Sequence, residues 1–510
     1  MARRGRRFLS AVALAALLAS CTVPKDQQGR EPDPDGNRER DRTDQQVGIG
    51  PAGGTIVTRS DTTTPTGPDS RPADVPDRTF PGLGDPRIDV SSYDVAVRAD
   101  PGKKEIRGRV VIKLQPVGPR DLPQFTLDLR GPKVTTTLVD GKVARTAVDG
   151  HQIIITPGKP VAASRPHTVV IRYGGVPDQA TFPALNIPVG WQPDEHGGWF
   201  TMSEPDGTST WVPVSDHPSD KAVWKVSLDT PAGVTGVSNG RLLSHATKAG
   251  RTTWIWEEPQ QMAPYLVLAA VGDFDLVQRT VGTRHDTFAF PKDLSAGKRA
   301  SFDALDDILD YYAETFGPLP GSESHAGQNA GAIVVDFNLG VALETQTRPL
   351  FGTDSVREND AGALAHELGH QWFGDNVSLA DWPDLWLNEG FATYADWLYR
   401  DHSGKAKIDD IAEETAKEYA NVGLTVRDPT AAGTFDLVVY NRGALTLHAL
   451  RKTVGDTHFF QILRQWTSQY AGRSATTADF VALSSKVSGR NLTGFFHDWL
   501  DKAPQPKLPS

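Results

Sequence analysis

The 510-residue chain has one cysteine, Cys21, so no internal disulfide can form. It has no basic excess either: the formal net charge is -10, which argues against a nucleic-acid binder because nothing is left over to neutralise phosphates. Hydrophobic residues make up 38%, low for a compact globule, so part of the chain is expected to stay unpacked. No long apolar run occurs. The one near the start, in "MARRGRRFLSAVALAALLASC", falls short of the roughly 20 residues that span a bilayer. No internal repeat is visible.

What is there begins with that same segment. Basic residues, a short apolar run and small residues precede Cys21, the order of a secretory signal. "LASC" resembles the lipobox of bacterial lipoproteins. The expectation is a signal over 1–21, lipidation at Cys21 and anchoring by two or more acyl chains on the extracytoplasmic face of a bacterial membrane. Residues 22–85 are rich in Pro, Gly, Asp, Arg and Thr, with Phe80 the only aromatic. They are expected to form a disordered tether, spanning roughly 40–45 Å as a coil.

From about residue 86 the pattern changes. "SYDVAVRA", "EIRGRVVIKL", "FTLDL", "HQIIITP" and "HTVVIRYG" alternate with a period near two between turn residues. This predicts an antiparallel β domain over 86–278, ending after "YLVLAAVGDFDL". Then Phe302, Leu305, Leu309, Tyr312 and Phe316 recur at helical spacing, stopped by "GPLPG". "AIVVDF" and "VALETQ" read as strands; "AGALAHELGHQWFG", "NEGFATYADWLY", "GALTLHALRKTVG" and "LTGFFHDWL" read as helices. The second half, 279–510, is expected to be an α+β, mainly helical domain.

The chemistry concentrates in "HELGHQWFGD". Over a helix at 360–372, His366 and His370 lie on one face about 6 Å apart along the axis, and two neutral imidazoles there can share a zinc ion. Glu367 sits one residue round, placed to reach water rather than metal. In a chain with 13 histidines such spacing arises by chance in roughly one or two cases per hundred, so a third ligand is the deciding test. "WLNEGFATYADWL" supplies Glu389 at the start of a second helix, although alone it could equally be a first-turn carboxylate.

"HELGHQWFGD" followed by "WLNEG" resembles the aminopeptidase N family of gluzincin zinc metallopeptidases. "WVPVSDHPSDKA", "VSNGRLLS", "VALETQTRPLF" and "YNRGALTLHALR" extend the resemblance from about 88 to 505. It implies a thermolysin-like catalytic domain with one zinc ion per chain, held by His366, His370 and Glu389, and Glu367 as the proton acceptor. It implies that Glu344, within the segment Val341, Ala342, Leu343, Glu344 and Thr345, grips the free α-amine of a peptide, and that Ala342 lies along the substrate. The family usually has glycine at the place of Val341 and asparagine at that of Thr345. Glu204 in "TMSEPDG" would approach the same amine, and Tyr440 would bond the developing oxyanion. Arg442 stands where a lysine is usual. Long family members continue into a helical cap, so the cleft here is expected to be more open. The expected function is removal of N-terminal residues from peptides. A zinc endopeptidase of thermolysin type and a non-catalytic peptide-binding lipoprotein are the alternatives.

Overall fold

The computed structural model describes residues 77–182, 187–194, 196–322, 328–427 and 429–509. The expected signal, Cys21 and the tether up to residue 76 lie outside the described residues. Among the described residues no helix is long and apolar enough to cross a membrane.

The period-two stretches form strands. An eight-stranded sheet runs, in spatial order, Arg241–Lys248, Arg251–Met262, Ala222–Pro231, Ile88–Ala99, Ile106–Pro116, His167–Gly175, Lys133–Val139 and Lys142–Val143. Ile88–Ala99 buries Ile88, Val90, Tyr93, Val95 and Val97, while the residues between are exposed (Asp89, Asp94) or half-buried, as along a strand with one covered face. Tyr93 stacks on Trp224 at 4.0 Å between ring centroids. One pair departs from the expected antiparallel plan: Ile88–Ala99 runs parallel to Ala222–Pro231. Alternation along a strand carries no information about its neighbour's direction, and the long intervening chain permits a crossover. Beside this sheet stands a five-stranded one, Thr235–Ser238, Ala269–Gly272, Trp199–Met202, Ile187–Pro193 and Gln179–Phe182.

The boundary expected at 278 falls inside the strand Phe274–Val281, which pairs with Arg284–Pro291 in a third sheet. The chain changes sheet just after Gly272. That third sheet continues through Gln328–Val335 and Leu350–Gly352 and ends at the two-residue edge strand Ala342–Leu343. "VALETQ" is thus extended only over Ala342–Leu343.

Helices pack on it. Leu305–Phe316 carries the predicted stripe; Phe302 precedes it in a 3-10 turn, and all five stripe residues are buried. Three further helices carry the candidate site residues: Gly362–Gly369 (the histidine helix), Trp386–His402 (the glutamate helix) and Leu437–Val454 (the tyrosine helix). The histidine helix is shorter than the predicted 360–372. His370 caps it at helical φ −61°, and the chain then turns through Gly374 at φ +123°.

The tether reading also needs correcting at its C-terminal end. From Asp77 the chain is docked, not free. Asp77 is buried; its Oδ1 accepts from the backbone N–H of Thr79 and Phe80, both at 2.7 Å, and its Oδ2 from Trp382 N–H at 2.9 Å. His217 Nε2 stands 3.2 Å from the same Oδ2, and Phe80 meets Trp382 edge-on at 5.6 Å. This strap therefore touches the β domain through His217 and the helical domain through Trp382. Averaged composition hides a single carboxylate that four donors require. Asp77, His217 and Asp381 come close enough to suggest a metal site. The Asp77 oxygens are already saturated by those donors, however, so the cluster is a hydrogen-bonded junction.

Candidate active site and metal centre

Glycines set how closely the three helices approach. A Cβ added to Gly369 would stand 3.0 Å from Ala395 Cβ, on the glutamate helix. A Cβ on Gly390 would stand 2.8 Å from Gly443 Cα, so the glutamate and tyrosine helices touch backbone to backbone. Gly390 follows Glu389, and Gly443 lies one turn after Tyr440. The contact that lets the helices meet therefore also brings their functional side chains to one place.

There, His366 Nε2 and His370 Nε2 face each other at 3.2 Å, and Glu389 Oε2 is 3.5 Å from each. Tetrahedral ligands about 2.0–2.1 Å from one zinc ion stand about 3.3 Å apart, so this triangle has the dimensions of a three-ligand zinc site. His370 Nδ1 donates to the Phe373 carbonyl at 3.1 Å, which leaves the Nε2 lone pair aimed at the centre. Burial pulls the His370 pKa down, but Glu344, Glu389 and Glu367 outweigh it and carry it to about 10. Burial pushes Glu389 up, yet the two histidines hold it at about 2. A positive charge is stabilised at this point, and a divalent cation supplies one.

The surroundings are acidic to an unusual degree. Glu367 is buried, and burial followed by the Glu344 and Glu389 charges, against the opposing pull of His370, holds its carboxyl well above the usual range. Glu344 follows the edge strand, is buried, and is raised chiefly by burial. Glu204, just past the strand Trp199–Met202 of the β domain, is raised well above its ordinary value by burial and then by Glu344. Ligand atoms of Glu204, Glu344 and Glu389 lie within 4.8 Å of one another, as do those of Glu344, Glu367 and His370. Glu204 Oε1 and Glu344 Oε1 are buried without a hydrogen-bond partner. Tyr440 lies half-buried against His366, with ring centroids 6.3 Å apart and planes 17° from parallel. Ala342 lies on the sheet edge just before Glu344. All eight candidates within the described residues thus gather where the two domains meet.

Two residues of this region escaped the sequence reading. Asp375 is buried, and neither carboxylate oxygen has a hydrogen-bond partner. It stood in plain sight in "HELGHQWFGD", but nothing in the spacing turns it inward. Tyr265 is buried and accepts from Asn388 Nδ2 at 3.0 Å. Tyr265 sits in "YLVLAAVGDFDL", which reads as strand, whereas Pro264–Leu266 is a 3-10 turn. Arg442, by contrast, lies away from the acidic cluster: it is fully buried and donates to backbone carbonyls of Leu424, Trp499 and Lys502, so it anchors the C-terminal segment.

Comparison with known proteins agrees with this geometry. Residues 90–266 match the peptidase M1 N-terminal domain, and 338–499 match the peptidase family M1 domain, together well over half of the chain. The chain belongs to peptidase family M1. It resembles a mutant M1 zinc metallopeptidase from Deinococcus radiodurans, solved bound to a Tyr-Ser-Ala substrate: 29% identity, TM-score 0.78, 85% of this chain and 99% of that one. A two-domain M1 zinc metallopeptidase bound to L-arginine matches with the same identity, TM-score and coverage. Among curated relatives, aminopeptidase M1-D of Oryza sativa subsp. japonica is 29% identical over 58% of this chain, and probable aminopeptidase 2 of Sulfurisphaera tokodaii 28% over 58%. The chain spans 36% and 40% of the lengths of these two relatives.

Proposed function

We propose that the protein is a zinc-dependent aminopeptidase, with zinc held by His366, His370 and Glu389. The observation that carries the reading is the pair of carboxylates Glu204 and Glu344, each with one buried oxygen that has no hydrogen-bond partner, converging beside the three-ligand site. Such a pocket stabilises a cation, and a peptide's free α-ammonium places one next to its first scissile bond.

Zinc at this site supplies a Lewis acid for water and carbonyl. Glu367 does the proton work: close to His370 and Glu344 beside the ligand triangle, its carboxylate takes a proton from the attacking water and returns it to the leaving amine. Tyr440, along the face of His366, donates a hydrogen bond to the carbonyl oxygen as charge develops there; one such donor is typically worth about 3–4 kcal/mol. The edge strand at Ala342 offers backbone groups to pair with the peptide. The endopeptidase alternative sets Glu204 and Glu344 against a neutral mid-chain segment, which offers neither carboxylate a cation. The non-catalytic alternative leaves the convergence of Glu367 with a full ligand set without a use.

We further propose that Cys21 is lipidated and holds the enzyme on the extracytoplasmic face of the membrane; the residue order over 1–21 supports this. Moving a Cys21→Ser variant from the membrane to the soluble fraction is the expected result, and membrane retention would count against it. The activity itself is tested with one peptide in free and N-acetylated form, with and without a chelator. Chelator-sensitive release of the first residue from the free form alone is expected. Equal cleavage of both forms would make the endopeptidase the better account, and no cleavage by the zinc-loaded protein would favour the binding protein.

A further inference from the structure

Glu344 opens a loop that closes on itself. Thr345 N–H bonds Leu343 O at 2.8 Å, Thr345 Oγ1 donates to Arg348 O at 2.6 Å, and Arg348 N–H returns to Thr345 O at 3.0 Å. Inside it Thr347 holds φ at +66°. That is left-handed backbone, disfavoured for a β-branched residue, and it persists only where neighbours over-determine it.

The neighbours come from both domains. Thr347 N–H donates to Gln371 Oε1 at 2.7 Å, and Gln371 directly follows His370. Thr347 Oγ1 accepts from Gly240 N–H at 2.8 Å and donates to Gln346 O at 2.6 Å. Asn239 Nδ2 donates to Gln346 O at 2.8 Å and to Leu266 O at 3.0 Å, while its Oδ1 accepts from Leu268 N–H at 2.6 Å. The Asn239 amide is thereby fully used, and its second arm fixes the turn that carries Tyr265. Asn239, Thr347 and Gln371 are all buried. Arg348 adds bonds to the carbonyls of Ser238 and Gly240. The "VSNG" stretch of the β domain thus clamps the loop from one side, and Gln371, just past the histidine helix, holds it from the other.

We propose that Asn239, Thr347 and Gln371 form a bracket that sets the distance from Glu344 to the histidine helix, and so act as positioning residues for recognition of the free amine. The proposal rests on the aminopeptidase reading. An exopeptidase needs its amine anchor at one fixed distance from the reacting carbonyl, and a displacement of about 1 Å can cost as much as a hundredfold in rate. A left-handed Thr347 bonded to both domains converts their relative placement into the placement of Glu344.

The test uses the zinc-loaded full chain and one peptide in free and N-acetylated form. Thr347→Val keeps the branch and loses the hydroxyl. It is expected to lower kcat/KM for the free peptide by about ten- to a hundredfold, leaving zinc content and the residual rate on the acetylated peptide unchanged. Thr347→Ser, which keeps the hydroxyl, retains the wild-type ratio. Gln371→Met makes the same test from the other side and serves if Thr347→Val does not accumulate. A wild-type ratio in both Thr347→Val and Gln371→Met overturns the bracket, and so does an equal loss on both peptides. Glu344→Gln is measured in parallel. If it leaves the ratio unchanged, the amine-grip reading itself falls. If it collapses the ratio while the bracket variants do not, the bracket alone falls. In the Glu344→Gln background, Thr347→Val is expected to cost nothing more.

Discussion

One methyl group offers a direct test of how the site is assembled. In Gly443→Ala the new Cβ stands 2.8 Å from Gly390 Cα, where ordinary contact begins at 3.4 Å, so the two helices must part by about 0.6 Å or more. Neither atom is the end of a flexible side chain, so the strain is not relieved by a rotamer change. Overpacking of this kind costs about 1–3 kcal/mol, which for a domain of this size lowers the thermal midpoint by about 2–12 °C. The parting also moves Tyr440 away from the ligand triangle, and kcat/KM for a free peptide should fall by about ten- to a hundredfold. Gly390→Ala meets the same 2.8 Å obstacle and should behave alike, with added zinc loss because Glu389 is its neighbour. The double variant should cost less than the sum, since helices already parted have room for the second methyl. Thermal melts, zinc analysis and steady-state kinetics on the three variants suffice. If Gly443→Ala melts and turns over as the wild type does, the close approach does not govern the site. A lowered midpoint with unchanged kcat/KM would detach the packing from the chemistry.

Glu367→Gln should keep zinc bound and lower turnover by about 10²–10⁴-fold, because it removes a proton acceptor and no ligand; loss of the metal would place Glu367 in the ligand set instead. Zinc must displace the proton that His370, at about 10, carries in the metal-free chain. Affinity should therefore rise with pH through neutrality, and a flat profile in competition titrations would refute this. Asp77→Ala takes away the acceptor of the Thr79, Phe80 and Trp382 N–H groups and the carboxylate beside His217, at a cost of about 3 kcal/mol or more. Burial raises the Asp77 pKa, but His217, Asp381 and the N–H groups of Phe80 and Trp382 outweigh it and hold it below its ordinary value. This contribution is therefore present above the ordinary carboxylate pKa and fades as pH falls through the folded one. A chain starting at residue 85 should show the same loss, and an unchanged melt for it would restore the plain tether.

The histidine pair was legible because its information is local. His366, Glu367 and His370 lie within about one turn of helix, whose geometry fixes which side chains share a face; Glu389, on a separate helix, was singled out by the family resemblance. The period-two strands were legible from local pattern too. What failed had no local signature. The direction of Ile88–Ala99 against Ala222–Pro231 depends on a pairing made across the whole β domain. The burial of Asp77 depends on Trp382, some three hundred residues away in sequence.

Asp375, Tyr265 and Asn239 make the same point inside the site. None stands out by residue type or spacing. Tyr265 and Asn239 acquire their roles from partners on other elements, Asn388 for the one and the Gln346 carbonyl for the other. The division follows the chemistry. Metal ligands must converge within about 3.3 Å, and a helix does that cheaply from neighbouring residues. An amine anchor must be held at a set distance from that metal but on a different element, so its supports come from wherever the fold brings two domains together. On the proposed reading, exopeptidase specificity is a property of the domain contact, and variants at Thr347 and Gln371 are the ones to separate it from hydrolysis itself.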